Sequence, residues 1–297
     1  MTGPDPVSLW HRLADTSVLL DGFHALKHAV RFGADVPVAV AVDRGAALAL
    51  AEELAPDVRD TLDALLTQVP ESAYASLLPR PHPTAVAALA VRPSRAAHLE
   101  KLARTPRTAP VVVLDNPRNL GNAGAVIRLA AGFGATGVVT TGTLDPWHPT
   151  VVRGGAGLHF ATVVERLTVA ELPPGPVFAL DPEGDDIRGV KLPDDAVLAF
   201  GSERSGLSPE LRARAGLSGG AAHAPPGLQL QPGDECGDDA LPLEPRRGLG
   251  LSGGSCRRRG VWHALPQRGC PQPRCRHSPP LSASLERGDP HDPAHLH

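Results

Sequence analysis

Two short segments of this chain carry the residue types from which a polar binding site is made. In LDNPRNLGNAGAVIR, Leu114 to Arg128, a Gly-rich loop offers two amides, Asn119 and Asn122, and Arg128 follows six residues beyond Asn122. In GSERSGLS, Gly201 to Ser208, Glu203 stands between two glycines, which let backbone amides and carbonyls approach a flat ligand closely. Each segment also has a plainer reading. A helical arginine is often a surface residue or an ion-pair partner, and GSERSGLS would serve as an ordinary strand-to-helix turn. Gly121 and Gly124 do not form the G-x-G-x-x-G fingerprint, which weakens a dinucleotide-binding reading.

The elements around these loops set their position. Val111 to Leu114 is a continuous apolar strand, followed by the loop and by a helix with Ala125, Ile127, Leu129, Ala130 and Phe133 available to its buried face. Gly134 follows as a C-terminal cap. Apolar strands at 138–140, 177–180 and 197–200 complete an α/β pattern, a parallel sheet with helical crossovers. Both loops then lie at carboxyl ends of strands, where such sheets bind ligands. Ser208 reads as the N-cap of the next helix, with Pro209 at its first position.

Upstream, residues 1–90 read as a small α/β domain, with a strand at 17–20, a helix at 23–32, an alternating run at 36–42 and a helix at 46–54. Residues 91–109 read as a basic linker. Arg80, Arg92, Arg95, Lys101, Arg104 and Arg107 stand there or just before it against one acid, Glu100. That segment is either a solvated helix or a face that tracks phosphates beside an RNA site.

Length and composition bound the rest. With 297 residues the chain can hold two ordinary domains, and its net charge of -3 argues against a wholly basic nucleic-acid coat while leaving room for a local basic patch. No segment reaches the roughly 18 apolar residues needed to span a bilayer, and MTGPDPVSLWHRL lacks a signal pattern, so a cytoplasmic protein is expected. All four cysteines, Cys236, Cys256, Cys270 and Cys275, fall after residue 216.

Three segments, DNPRNLGNAGAVIRLAAGFGA, DPWHPTVVRGGAGLHFATVV and LAFGSERSGLSPELRARA, agree in order and spacing with the SpoU/TrmH family of RNA ribose 2'-O-methyltransferases in the SPOUT superfamily. The resemblance covers roughly residues 110–215, and residues 17–90 are similar to the small substrate-binding domain that often precedes it. It implies a trefoil-knot fold, incomplete here, with S-adenosylmethionine as methyl donor, a ribose hydroxyl of ribosomal or transfer RNA as acceptor, and a homodimer. Arg128 matches the family's catalytic Arg, Glu203 its second-motif Glu and Asn122 its first-motif Asn. Gly201, Ser202 and Leu207 fall on the cofactor loop, and Arg92, Arg95, Arg104, Arg107 and Arg153 are the candidate RNA contacts. A ribose hydroxyl is a poor nucleophile, so a fixed positive charge beside the developing alkoxide lowers the barrier. Arginine stays protonated and is a poor simple base, which assigns Arg128 an electrostatic role or proton removal through the adjacent phosphate. Glu203 would orient Arg128 or the donor, and no metal is required.

The resemblance stops near Ala215. Residues 216–297 contain one Val and no Ile, Phe or Tyr, too little to build the strand and apolar helix of the family's third motif. Read one nucleotide downstream, Gly227 to Glu244 permits a Ser/Asn-rich loop and an apolar helix, so the tail reads as the product of a frame shift between about Ala215 and Ala224, and as disordered. Its Cys and His spacings fit no common zinc site, and Arg257 to Arg259 reads as part of that tail. Two other functions stay open: a catalytically inactive RNA-binding remnant, because the third motif is missing, and a general α/β nucleotide-binding protein.

Overall fold

The computed structural model describes residues 5–78, 80–186, 190–202, 204–218 and 221–223, with the backbone alone for 181–186, 216–218 and 221–223, and these residues fall in one compact unit. The chain runs α1 (Pro6–Leu13), β1 (Val18–Asp21), α2 (Phe23–Arg31), β2 (Val38–Ala41), α3 (Arg44–Leu54), α4 (Arg59–Leu65), β3 (Leu66–Gln68), α5 (Glu71–Leu77) and β4 (Val86–Ala90). It continues through α6 (Arg95–Ala103), β5 (Val111–Leu114), α7 (Leu120–Gly132), β6 (Gly137–Thr140), α8 (Pro149–Gly154), β7 (Val163–Arg166), β8 (Val177–Asp186), β9 (Val197–Phe200), α9 (Pro209–Ser218) and β10 (Ala221–His223).

The first sheet has the order β1-β4-β2-β3, antiparallel except for β2 and β3. The second has the order β10-β8-β9-β5-β6-β7 and is parallel throughout. Its strands are apolar because both faces are covered. Val112, Leu114, Val138 and Val164 face Ala123 and Ile127 of α7 and Val151 and Val152 of α8. Val111, Val113, Val139 and Val197 face Leu102 of α6 and Leu211 of α9. That is the period-two alternation of a strand, with a core on each side.

The same apolar cluster that covers one face of the parallel sheet also contains Leu20, Phe23, Leu26, Val86 and Ala88 of the first sheet's layer. The two sequence domains therefore share a core rather than hanging from a tether. The contact is made at backbone distance: a side chain at Gly157 would put its Cβ 2.3 Å from the Ala25 carbonyl oxygen. Beside it His28 donates from Nδ1 to the Ala156 carbonyl at 2.8 Å, and Arg153 pairs with Asp21 at 3.1 Å. The segment Arg153 to Phe160, which the sequence places in the middle of the methyltransferase-like region, is thus the seat of the first domain.

Residues 91–109, expected as a basic linker, are not a free tether. α6 lies along β7, where its His98 contacts the buried Glu165 carboxylate at 2.9 Å. β7 itself escapes notice in the sequence because Glu165 and Arg166 interrupt a short apolar run. Residues 216–218 and 221–223, expected as the start of a disordered tail, instead complete α9 and form β10, which adds to the parallel sheet beside β8; the rest of the third-motif region, the knot it would close and the tail after 223 lie outside the described residues.

Burial of two histidines makes the fold acid-sensitive. His28 and His159 are both pushed down to about 4, chiefly by desolvation, although each keeps a hydrogen bond to a backbone carbonyl. Between their ordinary value and about 4 the unfolded chain binds more protons, so stability is complete above the ordinary value and declines as pH falls. For the fully buried His159 the loss between neutral pH and pH 4.5 is on the order of 2–3 kcal/mol. Urea midpoints measured across this range should fall, and in a folded His159→Gln variant the slope should flatten. An unchanged slope would contradict the assignment.

Candidate active site

Leu114 is in register with Thr140 on one side and Phe200 on the other, so β5, β6 and β9 end level. The chain leaves β5 toward β6 and β7, then returns on the opposite side through β8 and β9. A reversal of this kind opens a crevice beyond the carboxyl ends of the two strands that flank it, here β5 and β9.

Asp115, the first residue after β5, ties this crevice together. Its side chain is buried, its Oδ1 accepts from the Thr141 hydroxyl at 2.5 Å, and its Oδ2 accepts from the Ser208 amide at 2.6 Å. Its own N–H donates to the Phe200 carbonyl at 2.8 Å. Thr141 in turn accepts from the Asn116 N–H at 2.9 Å. Three loops, after β5, β6 and β9, are therefore held by one carboxylate. Sequence reasoning passed over it; the signal available was an acid placed directly after a buried strand.

The first-motif residues divide by role. Asn119 is the N-cap of α7, its side chain accepting from the Asn122 amide at 3.0 Å, and this settles how the helix starts. Gly124 faces α8, where a Cβ would come within 2.6 Å of the Val151 carbonyl oxygen, so it is a helix-packing glycine. Leu129 and Phe133, expected on the buried face, are instead exposed, because Ala123, Ile127 and Ala130 fill the contact with the sheet; Arg128 stands beside them on the solvent-facing side, and no acid pairs with it among the described residues. Eight residues beyond Leu120, it lies about 12 Å along the helix axis. Side chains on a helix lean toward its N-terminus, which directs Arg128 back toward the strand ends.

In the second loop Ser202 and Gly206 exchange backbone hydrogen bonds of 3.0 and 2.9 Å. Gly201 lies so close beneath that a Cβ there would meet the Gly206 carbonyl carbon at 2.3 Å. The Ser202 hydroxyl accepts from the Ser205 amide at 3.3 Å, and the Leu207 side chain is buried in the core, which leaves its backbone to face any ligand. Ser208 caps α9, accepting from the Leu211 amide at 3.3 Å. The result is a compact backbone loop fastened to Asp115, with Leu114 and Phe200 at the strand ends beneath it. These groups fit a flat, partly apolar ligand such as an adenosyl group. Glu203 lies outside the described residues.

The five arginines named as RNA contacts do not form one track. Arg107 is buried, with its guanidinium on the Leu102 and Asp195 carbonyls near the amino end of β9, away from the crevice. Burial at the wrong end of the sheet removes it from an RNA surface and makes it a structural clamp. Arg153 faces Asp21 of the first domain, and Arg104 is exposed with Glu100 at 3.7 Å. Arg92 and Arg95 stand together near the ends of β6 and β7. Arg92 lies 5.3 Å over the Trp147 ring, and Arg95 reaches Glu165 at 3.3 Å.

A parallel sheet with its loops gathered at one reversal point, and a glycine-framed backbone loop beside an amide-capped helix, define an α/β protein of the class whose ligands bind at such points. Residues 109–217 match the family model of the SpoU rRNA methylase family. Part of the chain is 44% identical over 59 residues to the mitochondrial rRNA methyltransferase 3 of Xenopus laevis, and 47% identical over 55 residues to that of Mus musculus. The alignments cover 19% and 18% of this chain and only 14% and 13% of those proteins. Among solved structures, the SpoU methyltransferase AviRb from Streptomyces viridochromogenes, in complex with AdoMet, has a TM-score of 0.57 at 20% identity over 77% of this chain and 91% of that one. An rRNA methyltransferase from Sinorhizobium meliloti has a TM-score of 0.55 at 25% identity, covering 75% of this chain and 86% of that one. The fold is that of the SpoU methyltransferases. No helix among the described residues is long and apolar enough to cross a membrane.

Proposed function

We propose that this chain is an S-adenosylmethionine-dependent methyltransferase acting on a ribose 2'-hydroxyl of ribosomal or transfer RNA in the cytoplasm. The observation that carries the reading is the fastening of the Gly201–Ser208 loop to the first-motif loop through Asp115 at the carboxyl ends of β5 and β9. Gly201, Ser202 and Leu207 would hold the adenosyl group through their backbone. When bound, S-adenosylmethionine supplies a methyl group made electrophilic by its sulfonium. Arg128 would compensate the charge that develops on the ribose oxygen as its proton leaves, directly or through the neighbouring phosphate. Asn122 and Glu203 would orient the reacting groups. Leu129 and Phe133, apolar and exposed beside Arg128, support the homodimer expected of the family.

Isothermal titration of the full chain with S-adenosylmethionine tests this reading. Micromolar binding is expected, together with transfer of labelled methyl to ribose in nuclease digests of ribosomal or transfer RNA. RNA binding without any cofactor binding would replace it with the inactive-remnant reading.

A further inference from the structure

A cleft of 580 Å³ opens at the carboxyl ends of β6 and β7, lined by Arg92, Arg95, Gly142, Asp145, Arg166 and Glu171 among others. Three guanidiniums around one hollow repel each other and stay together only where something holds them from behind. Each is held. Arg92 lies over the Trp147 ring, and that buried indole is fixed by donating to the Val164 carbonyl at 3.0 Å. Arg166 donates to the Thr143 carbonyl at 3.2 Å. Arg95 donates to the Arg166 carbonyl at 3.0 Å and reaches Glu165, a buried carboxylate that His98 also contacts.

The acids on the open side are fixed by their own loops, Glu171 by the Thr168 amide and hydroxyl at 2.8 and 2.9 Å and Asp145 by the Trp147 amide at 3.1 Å, and they pair only loosely with the arginines. Asp145 stands 3.9 Å from Arg92 and Glu171 3.6 Å from Arg95, and both side chains are about half exposed, at 52% and 51%. Exposed pairs this long are weak and exchange readily for a better anion. A phosphodiester is such an anion, since its oxygens match the guanidinium fork two at a time. Gly142 connects the cleft to the proposed site: a Cβ there would sit 2.5 Å from the Asn116 side-chain oxygen, and Thr141, the residue before it, bonds both Asp115 and Asn116.

We propose that this cleft binds the RNA backbone, with Arg92, Arg95 and Arg166 gripping phosphodiesters of the strand that leads away from the nucleotide presented at the Asp115–Asn119 loop. The proposal rests on the RNA methyltransferase reading and adds to it where the strand runs: across α6 and the ends of β6 and β7, not along the whole basic segment. It also adds Arg166, which the sequence did not single out. The size of the hollow and its three separate forks suit a chain of phosphates rather than one ion.

The test uses the full chain and a fluorescein-labelled single-stranded oligouridylate followed by anisotropy. The Arg92→Ala/Arg166→Ala variant should bind at least about tenfold more weakly, and its log K against log salt slope should fall by about one to two. Arg92→Lys/Arg166→Lys, which keeps charge but loses the fork, should lie between. Arg12→Ala/Lys191→Ala, which removes two exposed charges outside the cleft, the Gly201–Ser208 loop and residues 17–90, should bind as the parent does. Equal losses in the two alanine pairs, or a parental affinity and slope for Arg92→Ala/Arg166→Ala, would overturn the proposal. So would displacement of the oligouridylate by polyglutamate at equal mass, which would make the cleft a seat for acidic protein. Calorimetry with S-adenosylmethionine on the same variants separates the two ideas, because cofactor binding should be untouched by the cleft and its absence would count against the methyltransferase reading alone.

Discussion

Arg128→Ala is expected to lower the rate of methyl transfer about 10³-fold, the effect of removing a fixed positive charge that acts on a developing oxyanion. Arg128 is exposed on α7 and has no acidic partner among the described residues, so its loss should leave the unfolding midpoint within experimental error. Cofactor affinity should also stay near its parental value, which places the whole loss in the turnover number at saturating RNA. Arg128→Lys keeps the charge without the planar fork and should recover part of the rate. Rapid-quench measurement of ribose methylation with both variants decides the matter. Parental turnover by Arg128→Ala would remove this residue from the mechanism and return it to the role of a surface arginine.

The second large effect is expected at Asp115, which touches no proposed substrate and acts by positioning. Asp115→Ala strips the acceptors from the Thr141 hydroxyl and the Ser208 amide, with a stability loss on the order of 2–4 kcal/mol. Because those two bonds fasten the loops after β6 and β9 to the one after β5, S-adenosylmethionine affinity should fall more than tenfold in the protein that remains folded. Asp115→Asn keeps the volume and one acceptor and should be intermediate in both measurements. Calorimetric titration beside urea denaturation distinguishes the outcomes. A variant that loses stability but binds the cofactor as tightly as the parent would show that Asp115 holds the core and does not shape the site.

The parallel strands were legible because they are buried on both faces, and such strands need apolar residues at every position: Val111 to Leu114 is the plainest case. α7 was legible from its pattern, and its start from Asn119. β7 was not, since its Glu165 is buried yet satisfied by His98 and Arg95 on α6, a partnership between residues about 70 positions apart. A still longer separation concealed Arg107, whose basic character suggested a surface while its guanidinium lies against the carbonyl of Asp195, 88 positions away. The absent fingerprint already weakened a dinucleotide-loop reading of Gly124, but its actual role, close packing against α8, needed the tertiary structure.

By itself the chain of residue types determined the α/β class and the order of its loops and helices, because hydrophobic period and turn chemistry are local properties. Only the tertiary structure decided that Asp115 gathers three loops, that the first domain is seated on the Arg153 to Phe160 segment, and which arginines face solvent together. Those outcomes depend on which distant groups satisfy a buried charge or admit a backbone at close range, and neither is written in the spacing of neighbours along the chain.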